Sequence, residues 1–358
     1  MTATKSNFQT RKMSSYVVVD DPKIIATHDR DMDEHLQYPI IILKNGLIAS
    51  AQDGTHQISL IDPSNPEKNI KKIITPHFNT ISSIVETDNG HLISADLDGV
   101  ICRWKHTCLG WECIKEKQLP FGIITMKLSC YQTIFMKTIH RYDNIVSFVV
   151  IDSKSYRILK DMHSIGAGID FTMTLPLSLS PDRKKIVVRI GDICDLSRLI
   201  LHQLDISDIQ DTPKQLLKGH TRMITAVNTF YDGKIISSSY DMTLRIWDPD
   251  TLQCIKIIRF PLTRMPISLT TLGNTHLIAI GLYYGDIMII DTDTSKDELE
   301  PLALFTNADR PVGFIQYLSR DHKLLTYDED HKTKLWQIPE CLDNYFFPDE
   351  YIPKGQMN

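Results

Sequence analysis

No uninterrupted apolar stretch of about 18 residues or more occurs in the chain, so no membrane-spanning helix and no membrane insertion are expected. The opening MTATKSNFQTRKMSSY lacks the apolar centre of a secretory signal. The expected location is therefore the cytoplasm, or a host cytosol if the protein is a secreted bacterial effector. An excess of charge is missing too: 39 basic residues against 44 acidic ones leave a formal net charge of −5. That gives no overall attraction to a phosphate backbone, and nucleic acid is not expected as a partner. Cysteine is sparse and odd in number: Cys102, Cys108, Cys113, Cys130, Cys194, Cys254 and Cys341 are scattered along a long chain. Such spacing does not suit a disulfide framework, and reduced thiols are expected. Helical periodicity is absent from the middle of the chain, so a parallel α/β architecture has nowhere to put the helices it needs between strands.

What is present is enough apolar residue, 42%, for a packed core, together with an internal repeat. GHTRMITAVNTFYDGKIISSSYDMTLRIWD runs from Gly219 to Asp248, and HFNTISSIVETDNGHLISADLDGVICRW runs from His77 to Trp104. In both, 27 positions separate histidine from tryptophan. LLTYDEDHKTKLW supplies a third, degenerate copy: Asp330 lies six before Trp336, as Asp98 lies six before Trp104 and Asp241 six before Trp247, while Asp309 fills the histidine slot. The same ruler finds weaker copies in which an apolar residue precedes aspartate, giving anchors at 61, 104, 151, 204, 247, 290 and 336. Between the second and fifth anchors the chain reads WECIKEKQ, IITMKLSC, TIFMKTIH, IVSFVVID, YRILKDMH, FTMTLPLSLS, KKIVVRIG and RLILHQLD. These are short β-rich runs punctuated by Asn, Asp, Gly, Ser and Pro.

From its GH opening to its WD close, the Gly219–Asp248 segment resembles the WD-repeat consensus. The resemblance implies an all-β fold: a single seven-bladed β-propeller with four antiparallel strands per blade, spanning residues 16–338. A flexible segment, 1–15, is expected before it and a tail, 339–358, after it. Pro339, Pro348 and Pro353 make that tail a poor outer strand, because proline removes ladder donors. In WD-repeat proteins an N-terminal strand commonly completes the last blade, so residues within 16–27, above all Lys23 to Thr27, are expected to pair with it.

The family's buried hydrogen-bonded set, carried over by position, is His77, Ser94, Asp98 and Trp104 in one blade and His220, Ser237, Asp241 and Trp247 in another. The chemistry is coherent: indole N–H donates to hydroxyl, hydroxyl to one imidazole nitrogen, and the other imidazole N–H to carboxylate. A hydrolase triad uses a similar order. Here, however, a tryptophan would cap each serine, and no strained GxSxG turn is present.

Function is expected on the propeller faces rather than in a catalytic cleft. The family's rim positions fall on Gln52, Leu97, Tyr240, Tyr283 and Glu329, before the turn aspartate, and on Ser82, Thr225 and Ser268, five after the histidine slot. Tyr240 and Tyr283 have the ring chemistry of interface anchors. Arg222 and Arg264 have the fork that reads a carboxylate or phosphate. Cys102, His106, Cys108 and Cys113 cluster, but not with the CxxC spacing of structural zinc sites, and neither metal nor cofactor is expected. The reading is a monomeric, non-catalytic scaffold or adaptor for a protein or peptide partner. Its alternatives are a ubiquitin-ligase substrate receptor and a propeller enzyme with a channel-facing hydrolytic site. Receptors of the cullin-4 class carry Arg or Lys two residues after WD, where this chain has Asp250.

Overall fold

Isoleucine and valine crowd the short runs between turn residues, and β-branched side chains of this kind favour a pleated surface over a helix. A computed structural model of the protein describes residues 10–13, 16–19, 23–27, 39–52, 56–63, 71–108, 110–130, 132–139, 146–162, 177–190, 198–203, 215–294, 300–306, 310–319, 321–328 and 332–346. Apart from a 3-10 turn at Glu340–Leu342 and one helical turn at Asp343–Phe346, the regular elements among them are strands arranged in seven sheets.

Consecutive stretches of chain build the sheets in order, each strand antiparallel to the one before. The first contains Ile40–Ile42, Ile48–Gln52, Gln57–Ile61 and Lys71–Ile74. The second contains Ile81–Glu86, Leu92–Asp96, Val100–Thr107 and Gly110–Gln118, and the third Gly122–Leu128, Thr133–Ile139, Val146–Asp152 and Ile158–Met162. Leu177–Leu179, Lys185–Ile190, Arg198–Gln203 and Gln215–Leu217 form the fourth; Ile224–Thr229, Ile235–Ser239, Thr243–Trp247 and Cys254–Arg259 form the fifth. The sixth is founded on Pro266–Thr271, Leu277–Leu282, Ile287–Asp291 and Pro301–Phe305, and the seventh on Phe314–Leu318, Lys323–Tyr327 and Lys332–Gln337. Anchors 61, 104, 151, 247, 290 and 336 all fall on the third strand of their sheet, while 204 lies outside the described residues.

A four-stranded sheet with two apolar faces is stable only against neighbours, and the core here lies between sheets rather than within any one. Ala49 and Leu60 of the first sheet pack with Leu92 and Trp104 of the second. Ile101 and Leu119 meet Met136 and Ile151 of the third. Val187 and Leu217 of the fourth meet Ile235 and Trp247 of the fifth. Phe230 and Ile246 meet Ile278 and Ile290 of the sixth, and Ile287 and Phe305 meet Leu324 and Trp336 of the seventh. Leu325 and Leu335 of the seventh sheet then pack against Ile40 and Ile61 of the first.

The N-terminal strands divide between two sheets. Lys23–Thr27 lies antiparallel to Lys332–Gln337, with Lys23 opposite Leu335 and Thr27 opposite Lys332. Tyr16–Val19, within the range expected to pair with the last blade, instead runs parallel to Pro301–Phe305 of the sixth sheet. The valine run covers an otherwise open sheet edge, and Val17 packs into the cluster that holds Ala303 and Phe305. Thr10–Met13, expected to be flexible, folds back on Tyr16–Val19 as a hairpin, giving the sixth sheet six strands. Ile338 and Leu342 bury the start of the tail in the same cluster, and Phe346 stacks on Tyr317.

The strand that Lys23–Thr27 joins carries Lys334, which forms a buried ion pair, Nζ to Asp328 Oδ2 at 2.7 Å. Removing one partner of a buried pair leaves an uncompensated charge, so Lys334→Ala is expected to destabilise the protein by about 3–5 kcal/mol. A thermal melt followed by circular dichroism checks this. Deleting residues 1–28 removes Lys23–Thr27 and the hairpin together. The expected outcome is a lower and broader melt for the whole protein, and a truncation that melts like the full chain would show that the strand is dispensable.

Candidate functional site

Two histidines are held alike between strands. His220 Nδ1 lies 2.8 Å from Asp241 Oδ2 and its Nε2 lies 2.8 Å from Ser237 Oγ, to which Trp247 Nε1–H donates at 2.9 Å. His77 repeats the pattern with Ser94 Oγ at 2.8 Å and Trp104 Nε1–H donating to that oxygen at 2.9 Å. The fourth member of this second set is Asp96, at 2.9 Å from His77 Nδ1, and not the expected Asp98. The reason is local. Asp96 closes its own turn, its Oδ1 accepting the main-chain N–H groups of Asp98 and Val100, which leaves Oδ2 aimed at the imidazole. In the fifth sheet the position of Asp96 is filled by Ser239, whose hydroxyl accepts the N–H of Asp241 and donates to Arg222 O, so the carboxylate comes from two residues later. Both aspartates were visible in SADLDG; the spacing rule alone picked the wrong one. In the seventh sheet Trp336 donates to Thr326 Oγ1 at 2.9 Å, and Asp328, in the position of Asp96, faces Lys334. Asp309 and Asp330 lie outside the described residues.

The electrostatics agree with a neutral imidazole. Burial holds the His220 pKa below its usual 6.5, against the opposing pull of Asp241. For Asp241, burial raises the pKa, but hydrogen bonds from His220 and Thr243 and the N–H of Thr221 outweigh it, so the carboxyl ionises below the usual range. Ser94 and Ser237 are fully buried under their indoles, which removes both from use as nucleophiles.

Leu97, Tyr240 and Tyr283 occupy equivalent turns. Their main-chain N–H groups donate to Thr80 O, Met223 O and Met265 O at 3.2, 2.9 and 2.9 Å, tying each turn to the loop that enters its own sheet. Gln52 ends its strand, its side chain outside the described set, and Glu329 also lies outside the described residues. Tyr283 is exposed and meets Tyr284 edge-on at 5.3 Å, whereas Tyr240 is half-buried. Sequence reasoning missed Tyr284, 63% exposed, and Leu262, 83% exposed, in the loop from Pro261 to Met265 that receives the Tyr283 N–H. The adjacent tyrosines in GLYYGD were a readable signal; nothing in PLTRM marked Leu262.

Ser82, Thr225 and Ser268, expected near the rim, each bond a main-chain carbonyl at the start of the next sheet. Ser82 Oγ donates to Ile123 O, Thr225 Oγ1 to Pro266 O at 2.9 Å, and Ser268 Oγ to Val312 O at 2.5 Å. Each hydroxyl thus bonds the entry of the next sheet. Gly281 makes room for one such strut: a Cβ there would meet Ser268 Oγ at 2.3 Å and Val312 O at 2.7 Å. Thr271 to Thr229 O and Thr229 to Leu179 O extend the same device at the far end of these strands. Arg264 sits 3.9 Å from Met288 Sδ and offsets the raised pKa that burial gives Asp286. Arg222 is exposed, and no described residue bonds its guanidinium. Among the described residues no group of three or more His, Cys, Asp or Glu could hold a metal ion, and no helix is long and apolar enough to cross a membrane.

Residues 211–248 match the family described as WD domain, G-beta repeat. The chain is similar, at 29% identity over 23% of its length and 11% of the relative's, to the ribosome biogenesis protein BOP1 homolog of Arabidopsis thaliana. It is similar, at 27% identity over 34% of its length and 26% of the relative's, to the ribosome biogenesis protein YTM1 of Phaeosphaeria nodorum. The matched stretches thus span only about a tenth and a quarter of these two relatives.

Asp96→Ala is expected to cost about 1–3 kcal/mol by stranding His77, and Asp241→Ala a similar amount, with Asp98→Ala costing less. Melting temperatures of the three variants decide the assignment. The His220 pKa is lower folded than unfolded, so its contribution is complete above about pH 6.5 and shrinks as the pH falls below it; Asp241 adds a further loss on the acid side of its usual 3.8. The melting temperature should therefore fall with acidification from pH 7 to 5, and less steeply in His220→Gln.

Proposed function

The chain belongs to the WD-repeat family, and from that premise we propose that its seven sheets are the blades of one closed propeller serving as a non-catalytic platform for protein partners. The apolar contact of the seventh sheet with the first supports closure, since it makes the last neighbour of the series also the neighbour of its beginning. Burial of both serines in the histidine sets supports a structural use for residues that would otherwise invite a hydrolytic reading.

The observation that carries the docking proposal is the exposed group Tyr283, Tyr284 and Leu262 on a turn of the sixth blade and the loop that enters it, with Tyr240 and Arg222 on the turn and loop of the fifth. Exposed large apolar side chains grouped on rigid turns mark an interaction site more readily than scattered ones, and aromatic rings anchor interfaces at small entropic cost. Arg222 and Arg264 give the patch a preference for a partner that presents a carboxylate or phosphate beside an apolar side chain. The two relatives are named for ribosome biogenesis. A role in that assembly process would be a special case of the same platform.

The test is affinity capture on the full-length protein against Tyr240→Ala/Tyr283→Ala, with matched melting temperatures as the control for folding. Loss of at least one captured partner by tenfold or more is expected. Every partner remaining bound would remove this patch from consideration.

A further inference from the structure

The first strand of each sheet is a sheet edge, and the hydrogen-bonding groups such an edge leaves unpaired need partners outside the sheet. Here a neighbouring first strand supplies several of them. Met126 N–H donates to Ser83 Oγ at 2.9 Å, Thr271 Oγ1 donates to Thr229 O at 3.3 Å, and Thr229 Oγ1 donates to Leu179 O at 2.5 Å. First strands thus stand side by side, and in a closed ring of blades they line the central channel.

Register brings one residue of each first strand to a common level. Lys127 pairs with Phe135, Asn228 with Ile236, Thr270 with Ala279 and Gln316 with Leu325. Each of these partners lies one position after the residue that faces its sheet's anchor. Ile41 and Val85 hold the same level in the first two sheets, and Ser178 joins it from the fourth by donating to Asn228 Oδ1 at 3.3 Å. Met126 and Leu128 pack back on the second sheet, Val227 on the fourth and Ile315 on the sixth. Strand alternation therefore turns Lys127, Asn228 and Gln316 the other way.

What meets at this level is a set of donors without acceptors. Lys127 is exposed, and its ammonium has no hydrogen-bond or ion-pair partner among the described residues. Asn228 commits Oδ1 to the Thr229 N–H and the Ser178 hydroxyl, which fixes the orientation of the amide and leaves its Nδ2 protons unbonded among the described residues. Gln316, half-buried, is likewise without a described partner. No residue at this level is acidic. Asp88 and Asp232, on the turns that follow two of these strands, are already paired with Arg183 and Lys234.

Lys127 is also short of water: lost solvation draws its pKa below the usual 10.5, although the side chain presents open surface. An open yet poorly solvated side chain is what a narrow space walled by protein produces, and an anion arriving there displaces no existing ion pair.

Resting on the closed-propeller reading above, we propose that this level of the channel is a binding site for a small phosphate-class anion, with the Lys127 ammonium as its counter-charge and the Asn228 and Gln316 amides as neutral donors. A tetrahedral oxyanion has enough lone pairs to accept from several blades at once, and the bonds to an ammonium are the stronger, charge-assisted kind. Because the donors come from the third, fifth and seventh sheets, the bound anion ties together blades that are not neighbours in the ring.

Isothermal titration calorimetry of the full-length protein with inorganic phosphate, and separately with glycerol 3-phosphate, tests the site. Expected is saturable one-to-one binding, weakened tenfold or more in Lys127→Met and in Gln316→Glu, with each variant keeping its phosphate-free melting temperature. Either titrant binding in this way supports the site, and the tighter of the two distinguishes the free ion from a monoester. Absence of saturable binding of both titrants, or unchanged binding in Lys127→Met, overturns it. Small-angle X-ray scattering of the same samples separates the two readings: a compact disc that binds no phosphate loses only the site, whereas an elongated, open particle removes the closed ring and the site with it.

Discussion

An indole N–H buried between two sheets has to find an acceptor, and much else in this protein follows from how it does. Trp104, Trp247 and Trp336 each donate to a hydroxyl ten residues earlier, on the adjacent strand. In two cases that hydroxyl has its own proton to place, and an imidazole takes it; the imidazole's other N–H then needs a carboxylate. Each demand is met by the next residue along, until the carboxylate ends the series by accepting main-chain N–H groups of its own turn. Strand register, turn conformation and the packing of one sheet on the next are thus fixed by the same few atoms. An unmet member would cost more than its bond contributes, which is the usual asymmetry of buried polar groups.

The seventh sheet solves the problem differently. It keeps the tryptophan and its hydroxyl, Thr326, but answers the carboxylate of Asp328 with the ammonium of Lys334. A buried ion pair of this sort adds little net stability over an apolar substitute, yet it is intolerant of losing one partner. It also sits on the strand to which Lys23–Thr27 is bonded, so the charge pair and the N-terminal strand complete the same sheet.

How far the residues themselves foretold this can be judged case by case. Strand positions and the repeat length were legible because hydrophobic periodicity and turn residues act locally. The choice of Asp96 over Asp98 was not, since it depends on which carboxylate the turn can direct at the imidazole. Ser82, Thr225 and Ser268 were placed near the rim by spacing, while their bonds to Ile123, Pro266 and Val312 depend on how closely the next sheet approaches. The docking of Tyr16–Val19 on Pro301–Phe305 escaped notice for a like reason: a valine run announces a strand but not which of several open edges will take it. Tyr240 and Tyr283 were legible as turn residues; the exposure of Leu262 beside them was not.

The distant pairing of Lys23 with Leu335 has a consequence for synthesis on the ribosome. Lys23–Thr27 waits for a complement made about 300 residues later, and during that interval its apolar residues stay uncovered. Ordering within each sheet is local and can proceed as the chain emerges, whereas the seventh sheet cannot be finished until Lys332–Gln337 is free to meet Lys23–Thr27. Chaperone dependence and aggregation during expression should therefore concentrate on the seventh sheet, even though its other three strands are joined by short local connections.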